Sequence, residues 1–200
     1  MKQLFNIGCG GYIMEGITNV DINSGEGVDV VCDLSIFPWP WDDNSIDGIY
    51  AIHFLEHFRD SIQLFRELNR VLKPGGFLMV AVPHSTSIYA MANLDHYTAW
   101  SLPTFKQVTN PSDLHLNFFH QDFIRIRYML WDWRRKHPHL PQPKSLTFVG
   151  YPLFRTLFRP VELLIQFLID LHPMVFERFW SGLVGGADEM WWRGIKKEER

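Results

Sequence analysis

The sequence predicts an α/β protein built on a mainly parallel, doubly wound sheet. Three observations lead there. Five short apolar segments recur within the first 84 residues, and each ends at glycine, aspartate or histidine. One amphipathic helix crosses between the fourth and fifth of them, and continuous apolar strands joined by helical crossovers imply a sheet covered on both faces. The 200 residues are 46% hydrophobic and 20% charged, a balance that gives one domain a real core and excludes disorder as the main state.

The elements follow in order. Residues 3–7 form an apolar run stopped by glycines and predict a buried strand. Residues 17–22 and 28–31 predict two more, the first closing on Asp21 and the second on Cys32-Asp33. The prolines and turn residues of 37–44 defeat both periodicities and predict a loop. Residues 47–52 predict a fourth strand. In 60–72, Ile62, Phe65, Leu68 and Leu72 share one helical face while Arg59, Arg66, Glu67 and Arg70 lie largely off it, and Pro74-Gly75-Gly76 stops the helix. Residues 77–82 predict a fifth strand. Beyond His84 the signals weaken: a short helix over 102–108, a strand over 124–128 with one wet face, a proline loop over 137–143, helix over 160–180 broken near His172-Pro173, and a closing strand over 188–196.

Net charge is −3, but the halves differ. Residues 1–84 carry 11 acidic against 5 basic side chains, and residues 85–200 carry 11 against 14 together with 6 of the 8 tryptophans. This is no polycation built to coat nucleic acid, and the Arg134-Arg135-Lys136 cluster reads as a solvated turn. Two cysteines, no secretory signal and no apolar run of membrane-spanning length make a reducing cytoplasm the expected location.

Asn6-Ile7-Gly8-Cys9-Gly10-Gly11 directly follows the first strand, where glycines let backbone approach a ligand. Asp21 stands at the tip of the second strand, the usual place for an acid that holds ribose hydroxyls. Asp33 ends the third strand, His53 closes the fourth, and Leu72-Lys73-Pro74-Gly75-Gly76 leads into the fifth. This ordered set, over about residues 3–84, resembles the class I S-adenosylmethionine-dependent methyltransferases, in particular the small type 11 group. The resemblance implies a Rossmann-like sheet of seven strands, the last antiparallel, with a helical insertion before it. It also implies S-adenosylmethionine as cofactor, held by Asn6, Gly8, Gly10, Asp21, Ile22, Asp33, Leu34, Ala51 and His53. In it, Gly8 and Gly10 pass beneath the methionine moiety, Asp21 accepts from the ribose, Asp33 and the Leu34 N–H meet the adenine, and Ala51 to His53 line the methyl-transfer face. Residues 1–84 then form the cofactor-binding half and 85–200 the acceptor-binding, lid-forming half of a single domain. Two features depart from the pattern: Tyr12 replaces a third glycine, and the span from Gly8 to Asp21 leaves room only for a stub or loop as the first crossover.

His84 and His96 are the candidate catalytic residues, because strand ends of an open sheet face the ligand crevice and imidazole titrates near neutrality. His53-x-x-Glu56-His57 spells an inverted zinc-peptidase motif and places metal-type donors at i, i+3 and i+4, but without a peptidase context it reads as hydrogen bonding at a helix start, and no metal is expected. Trp39 and Trp41 read as cover for the sheet edge. His115, His120, His137, His139 and His172 read as surface or structural. The amphipathic stretch 154–180 is expected to close over the core as a lid, with peripheral membrane or partner contact as the other use of its apolar face. The functional expectation is methyl transfer to oxygen or nitrogen of a small molecule or sugar. A non-catalytic scaffold of the same fold is the rival reading, and the reduced first crossover speaks for it.

Overall fold

The computed structural model describes residues 2–87, 90, 92–110, 116–127, 151–177 and 187–198, with the backbone alone for 127, 151–159 and 162. His115, His137, His139, the 134–136 cluster and the 137–143 loop lie outside the described residues. Seven strands form one sheet: β1 (Leu4–Ile7), β2 (Thr18–Asp21), β3 (Val30–Val31), β4 (Ile46–Ile52), β5 (Leu72–Pro83), β6 (Phe119–Arg127) and β7 (Glu189–Lys196). Their order is β3-β2-β1-β4-β5-β7-β6. The pairs from β3 to β5 are parallel, and β7 runs antiparallel to both its neighbours. The sheet of seven strands with its antiparallel last member is thus as expected, and chain order reverses at β1/β4, the place where such sheets open a ligand crevice.

Helix α1 (Ser61–Val71) starts where the Asp60 carboxylate accepts from the Gln63 N–H. Its Leu64, Phe65, Leu68 and Val71 enter the core. Glu67, assigned from its spacing to the wet face, is buried instead. Its carboxylate accepts from the Trp39 N–H at 2.7 Å and binds Arg70, whose guanidinium also donates to the Trp39 and Trp41 carbonyls and to Asp43. A buried acid is tolerable only with such partners. This clamp holds the 37–44 loop, so Trp39 lies in the core, edge-on to Trp41, which in turn meets Phe5. Their contacts are with Phe5 of β1, an interior strand, and with α1, so they pack over the sheet rather than at its edge.

Three boundaries differ from the sequence reading. β5 begins at Leu72, which pairs with Ile46 across a register shift, so the Lys-Pro-Gly-Gly turn lies inside the strand rather than before it. β6 begins at Phe119; a shift between Gln121 and Phe123 breaks the alternation that would have shown its first half. Helix α2 (Leu102–Thr109) agrees with expectation, but helix α3 (Tyr151–Leu171) starts nine residues before Pro160 and carries that proline inside. α3 ends before His172, and a short helix, α4 (Pro173–Val175), follows.

α3 packs against β6, the strand at the opposite edge from β3. Ile169 is fully buried there, Gln166 Nε2 donates to the Ile126 carbonyl, and Arg125 pairs with Asp170. Leu164 and Phe167, within the apolar stretch 154–180, are 58% and 59% exposed. The part of this segment that reaches the strand ends is Glu177, described below. No helix among the described residues is long and apolar enough to cross a membrane.

Candidate functional site

The β1–β2 connection carries no helix, so polar side chains must hold it. Asn6 is 1% exposed in β1, and its amide donates to the Tyr12 carbonyl and to Asn19 Oδ1. Asn19, also buried, donates to the Met14 and Ile17 carbonyls, while the Asp29 carboxylate accepts from the Asn19 N–H. Asn6, expected from the resemblance to contact the cofactor, thus spends its amide nitrogen on the scaffold. The clue in the sequence was an amide in each of two apolar strands, where a buried polar group must find partners.

This framework sets two glycines in left-handed conformations. Gly8 has φ +60°, and a Cβ there would lie 2.2 Å from the Phe54 ring, so only glycine fits beneath that ring. Gly10 has φ +48° and open space on its Cβ side. Its N–H donates to Asp21 Oδ2 at 2.8 Å, and Asp21 Oδ1 accepts from the Asn23 N–H. Ile22 beyond it is exposed, as are Tyr12 and Ile36 on the connections leaving β1 and β3, so the C-terminal ends of β1–β3 carry an apolar rim. Asp33 Oδ1 accepts from both the N–H and the hydroxyl of Ser35, and these bonds hold its carboxyl below the usual range. The Leu34 side chain is buried, and its carbonyl accepts from Trp39 Nε1. Both cysteines are free thiols, and burial pushes them up: Cys9 follows Gly8 and Cys32 precedes Asp33.

At the end of β4, Ala51 is fully buried between Ile7 of β1 and Val80 of β5. His53 follows with φ +52°, an uncommon conformation for a side-chain-bearing residue. Its Nε2 is 3.0 Å from Glu189 Oε1 of β7, and its Nδ1 is 3.3 Å from Glu56 Oε1. Burial alone would lower the imidazole pKa, but the two carboxylates outweigh it and raise it to about 9. Sequence reasoning missed Glu189, which folding brings to His53 from 136 residues away.

His84 is completely buried at the end of β5. Its Nε2 lies 2.8 Å from Glu177 Oε1, and its Nδ1 lies 2.8 Å from the Thr86 hydroxyl and accepts from the Thr86 N–H. Glu177 also accepts from the Leu102 N–H. His84 therefore ties β5, α2 and the 173–177 segment together and presents no nitrogen to a substrate. Its strand-end position was legible, but the direction of its ring was not. His96 is half-buried, with Nε2 3.1 Å from the Asn93 amide and its ring edge-on to His57 at 4.9 Å. The turn Leu55–His57 has no side-chain cap; Glu56 Oε1 faces His53 Nδ1 at 3.3 Å, and His57 Nδ1 lies 3.1 Å from Asp95 Oδ2.

The fold, with its crevice at β1/β4, is that of the class I S-adenosylmethionine-dependent methyltransferases, whose cofactor is S-adenosylmethionine. Residues 6–80 match the model of a methyltransferase domain, in line with the resemblance read over residues 3–84. Over 80 residues the chain is 31% identical to cycloartenol-C-24-methyltransferase 1 of Oryza sativa subsp. japonica, covering 38% of this chain and 21% of that one. Over 58 residues it is 36% identical to a sterol 4-C-methyltransferase of Caenorhabditis elegans, covering 29% and 17%. The matched stretch thus spans about a fifth of the length of these curated relatives. Among solved structures, a SAM-dependent methyltransferase from Archaeoglobus fulgidus shares the fold with a TM-score of 0.59 at 18% identity, covering 98% of this chain and 86% of that one.

Proposed function

We propose that the protein transfers a methyl group from S-adenosylmethionine to an oxygen or nitrogen of a small molecule or sugar. The observation that carries this reading is the junction of β1 and β2. There the open backbone of Gly10, on the loop leaving β1, lies beside the Asp21 carboxylate, next to the β1/β4 switch of the sheet. The residues present fit the cofactor. Asp21 is fixed by two backbone N–H groups and keeps acceptor capacity for ribose hydroxyls. Asp33, held ionised by Ser35, would accept from the adenine amino group, with the Leu34 N–H toward the ring and exposed Ile22 against it. The bound cofactor supplies a sulfonium methyl. The chain's own work is positioning, which converts an encounter of two molecules into reaction within one complex. Gly8 under Phe54 shapes the floor, and Ala51 to His53 line the face that the acceptor meets. The polar group of His53, Glu56 and Glu189 beside that face suits an acceptor that gives up a proton from oxygen or nitrogen.

The rival reading, a non-catalytic scaffold, has one observation in its favour: the first crossover lacks a helix, so the site is open on that side. Cofactor affinity separates the two. Asp21→Ala is expected to weaken S-adenosylmethionine binding by about tenfold to a hundredfold, the ~1.5–3 kcal/mol of hydrogen bonds to a charged group. Calorimetry on the folded variant checks this, and an unchanged affinity removes Asp21 from the ribose site.

A further inference from the structure

We propose that Glu56, His57 and His96 form a binding site for a first-row divalent cation of the Zn2+ type. Each offers one ligand atom, and these atoms lie within 4.8 Å of one another. The three residues come from two segments joined by backbone and side chain: the Tyr97 N–H donates to the Glu56 carbonyl at 2.8 Å, and Asp95 meets the His57 ring.

The condition of the donors points to a ligand. Glu56 is 1% exposed; its Oε1 faces His53 Nδ1 at 3.3 Å, and its Oε2 has no hydrogen-bond partner among the described residues. An ionised carboxylate left so far from water costs several kcal/mol in order of magnitude unless a cation meets it. His53 comes to 3.3 Å on one side but turns its other nitrogen to Glu189, so it satisfies Glu56 only in part. His96 Nδ1 is likewise buried without a partner. Two orphaned polar side chains aimed into one small space indicate a missing third party.

The ring nitrogens are set for that role. His57 Nδ1 lies 3.1 Å from Asp95 Oδ2 and 3.3 Å from the Asp95 carbonyl. Donation to these oxygens places the proton on Nδ1 and leaves Nε2 as a lone pair. A carboxylate behind a ligating imidazole is the arrangement that fixes tautomer and orientation in metal sites. The Asn93 amide nitrogen stands 3.1 Å from His96 Nε2. When an ion takes Nδ1 the proton lies on Nε2, and a turned Asn93 amide then accepts it through its oxygen, since amide orientation follows the hydrogen bonds available.

Two imidazoles and one carboxylate are a donor set for Zn2+, Mn2+ or Fe2+ rather than for Mg2+ or Ca2+, which favour oxygen alone. Three protein ligands leave coordination positions open to water or to another oxygen ligand. The metal-type spacing in the sequence pointed at His53, Glu56 and His57. The fold replaces His53, which is committed to Glu189, with His96.

Zinc chloride titrated into the chelator-stripped full chain tests the site without reference to methyl transfer, so its failure and the failure of the functional reading are distinguishable. One ion per chain is expected, with Glu56→Gln and His96→Ala each weakening binding by about tenfold or more. His120→Ala, on an exposed position of β6, leaves it unchanged. Absent binding overturns the proposal, as does binding that Glu56→Gln and His96→Ala leave unaltered. A second measurement needs no variant: the wild-type chain loaded with Co2+ should show the visible absorption of a low-symmetry, nitrogen-ligated ion, and a spectrum like that of hexaaqua cobalt overturns it equally.

Discussion

Trp192→Ala is expected to lower stability by about 3–5 kcal/mol, the range for removing a large aromatic from a packed core. Trp192 is fully exposed to neither solvent nor ligand: its side chain is completely buried in β7, opposite Val80 of β5 and Ile124 of β6. Phe105 of α2 stacks on it with centroids 4.8 Å apart, and Phe119 meets it edge-on at 5.7 Å. The tryptophan thus joins the last strand to the helix and edge strand of the C-terminal half. No small rearrangement fills such a gap, because three elements share it. Its indole nitrogen is buried without a partner among the described residues, so Trp192→Phe, which removes that unpaired donor, should cost markedly less than Trp192→Ala. Urea denaturation of the three chains checks both statements. A loss under about 1 kcal/mol for the alanine variant would show that the site collapses without strain, contrary to this packing.

Gly8→Ala is the second large effect, and it acts on the site as well as the fold. The left-handed backbone at φ +60° alone costs a residue with a Cβ roughly 1–2 kcal/mol. The new carbon would also stand 2.2 Å from Phe54 Cδ2, so the ring must move. Phe54 rests edge-on against Phe58 and directly follows His53, so its displacement disturbs the end of β4, where the acceptor is proposed to meet the cofactor. Gly10→Ala supplies the control: it has the same kind of backbone, φ +48°, but open space around it. The expected outcome is that Gly8→Ala loses more stability than Gly10→Ala by denaturant midpoint. Equal losses would mean that Phe54 yields freely and that the floor is not set by Gly8.

The legible part of the fold is the part governed by local rules. Short apolar runs ending in Gly8, Asp21, Asp33 and His53 revealed β1–β4, and the Asp60 start with the Leu68 face revealed α1. What failed was long-range. Glu67 has the spacing of a surface residue, but it is buried because Trp39 and Arg70 arrive to meet it. The bulge near Gln121 hid half of β6. Leu164 and Phe167 look like a core stripe, yet β6 takes the opposite face of α3, through Ile169. In the site, position along the sheet was readable and orientation was not. Gly10 and Asp21 meet at a strand junction that spacing suggests, whereas His84 sits at the right strand end with its ring turned inward. Glu189 could not be read, and His96, singled out as a candidate base, could not be read as a neighbour of Glu56, because nothing in their own segments marks these pairings.

Calorimetric titration of the wild-type chain with S-adenosylhomocysteine, the demethylated product, tests the central claim most directly, since it reads the crevice at the ends of β1, β2 and β4 without knowledge of the acceptor. Saturable binding at one site per chain, weakened in Asp21→Ala, is the predicted result. No heat of binding at millimolar ligand, with the chain folded, would contradict the account and leave the scaffold reading in its place.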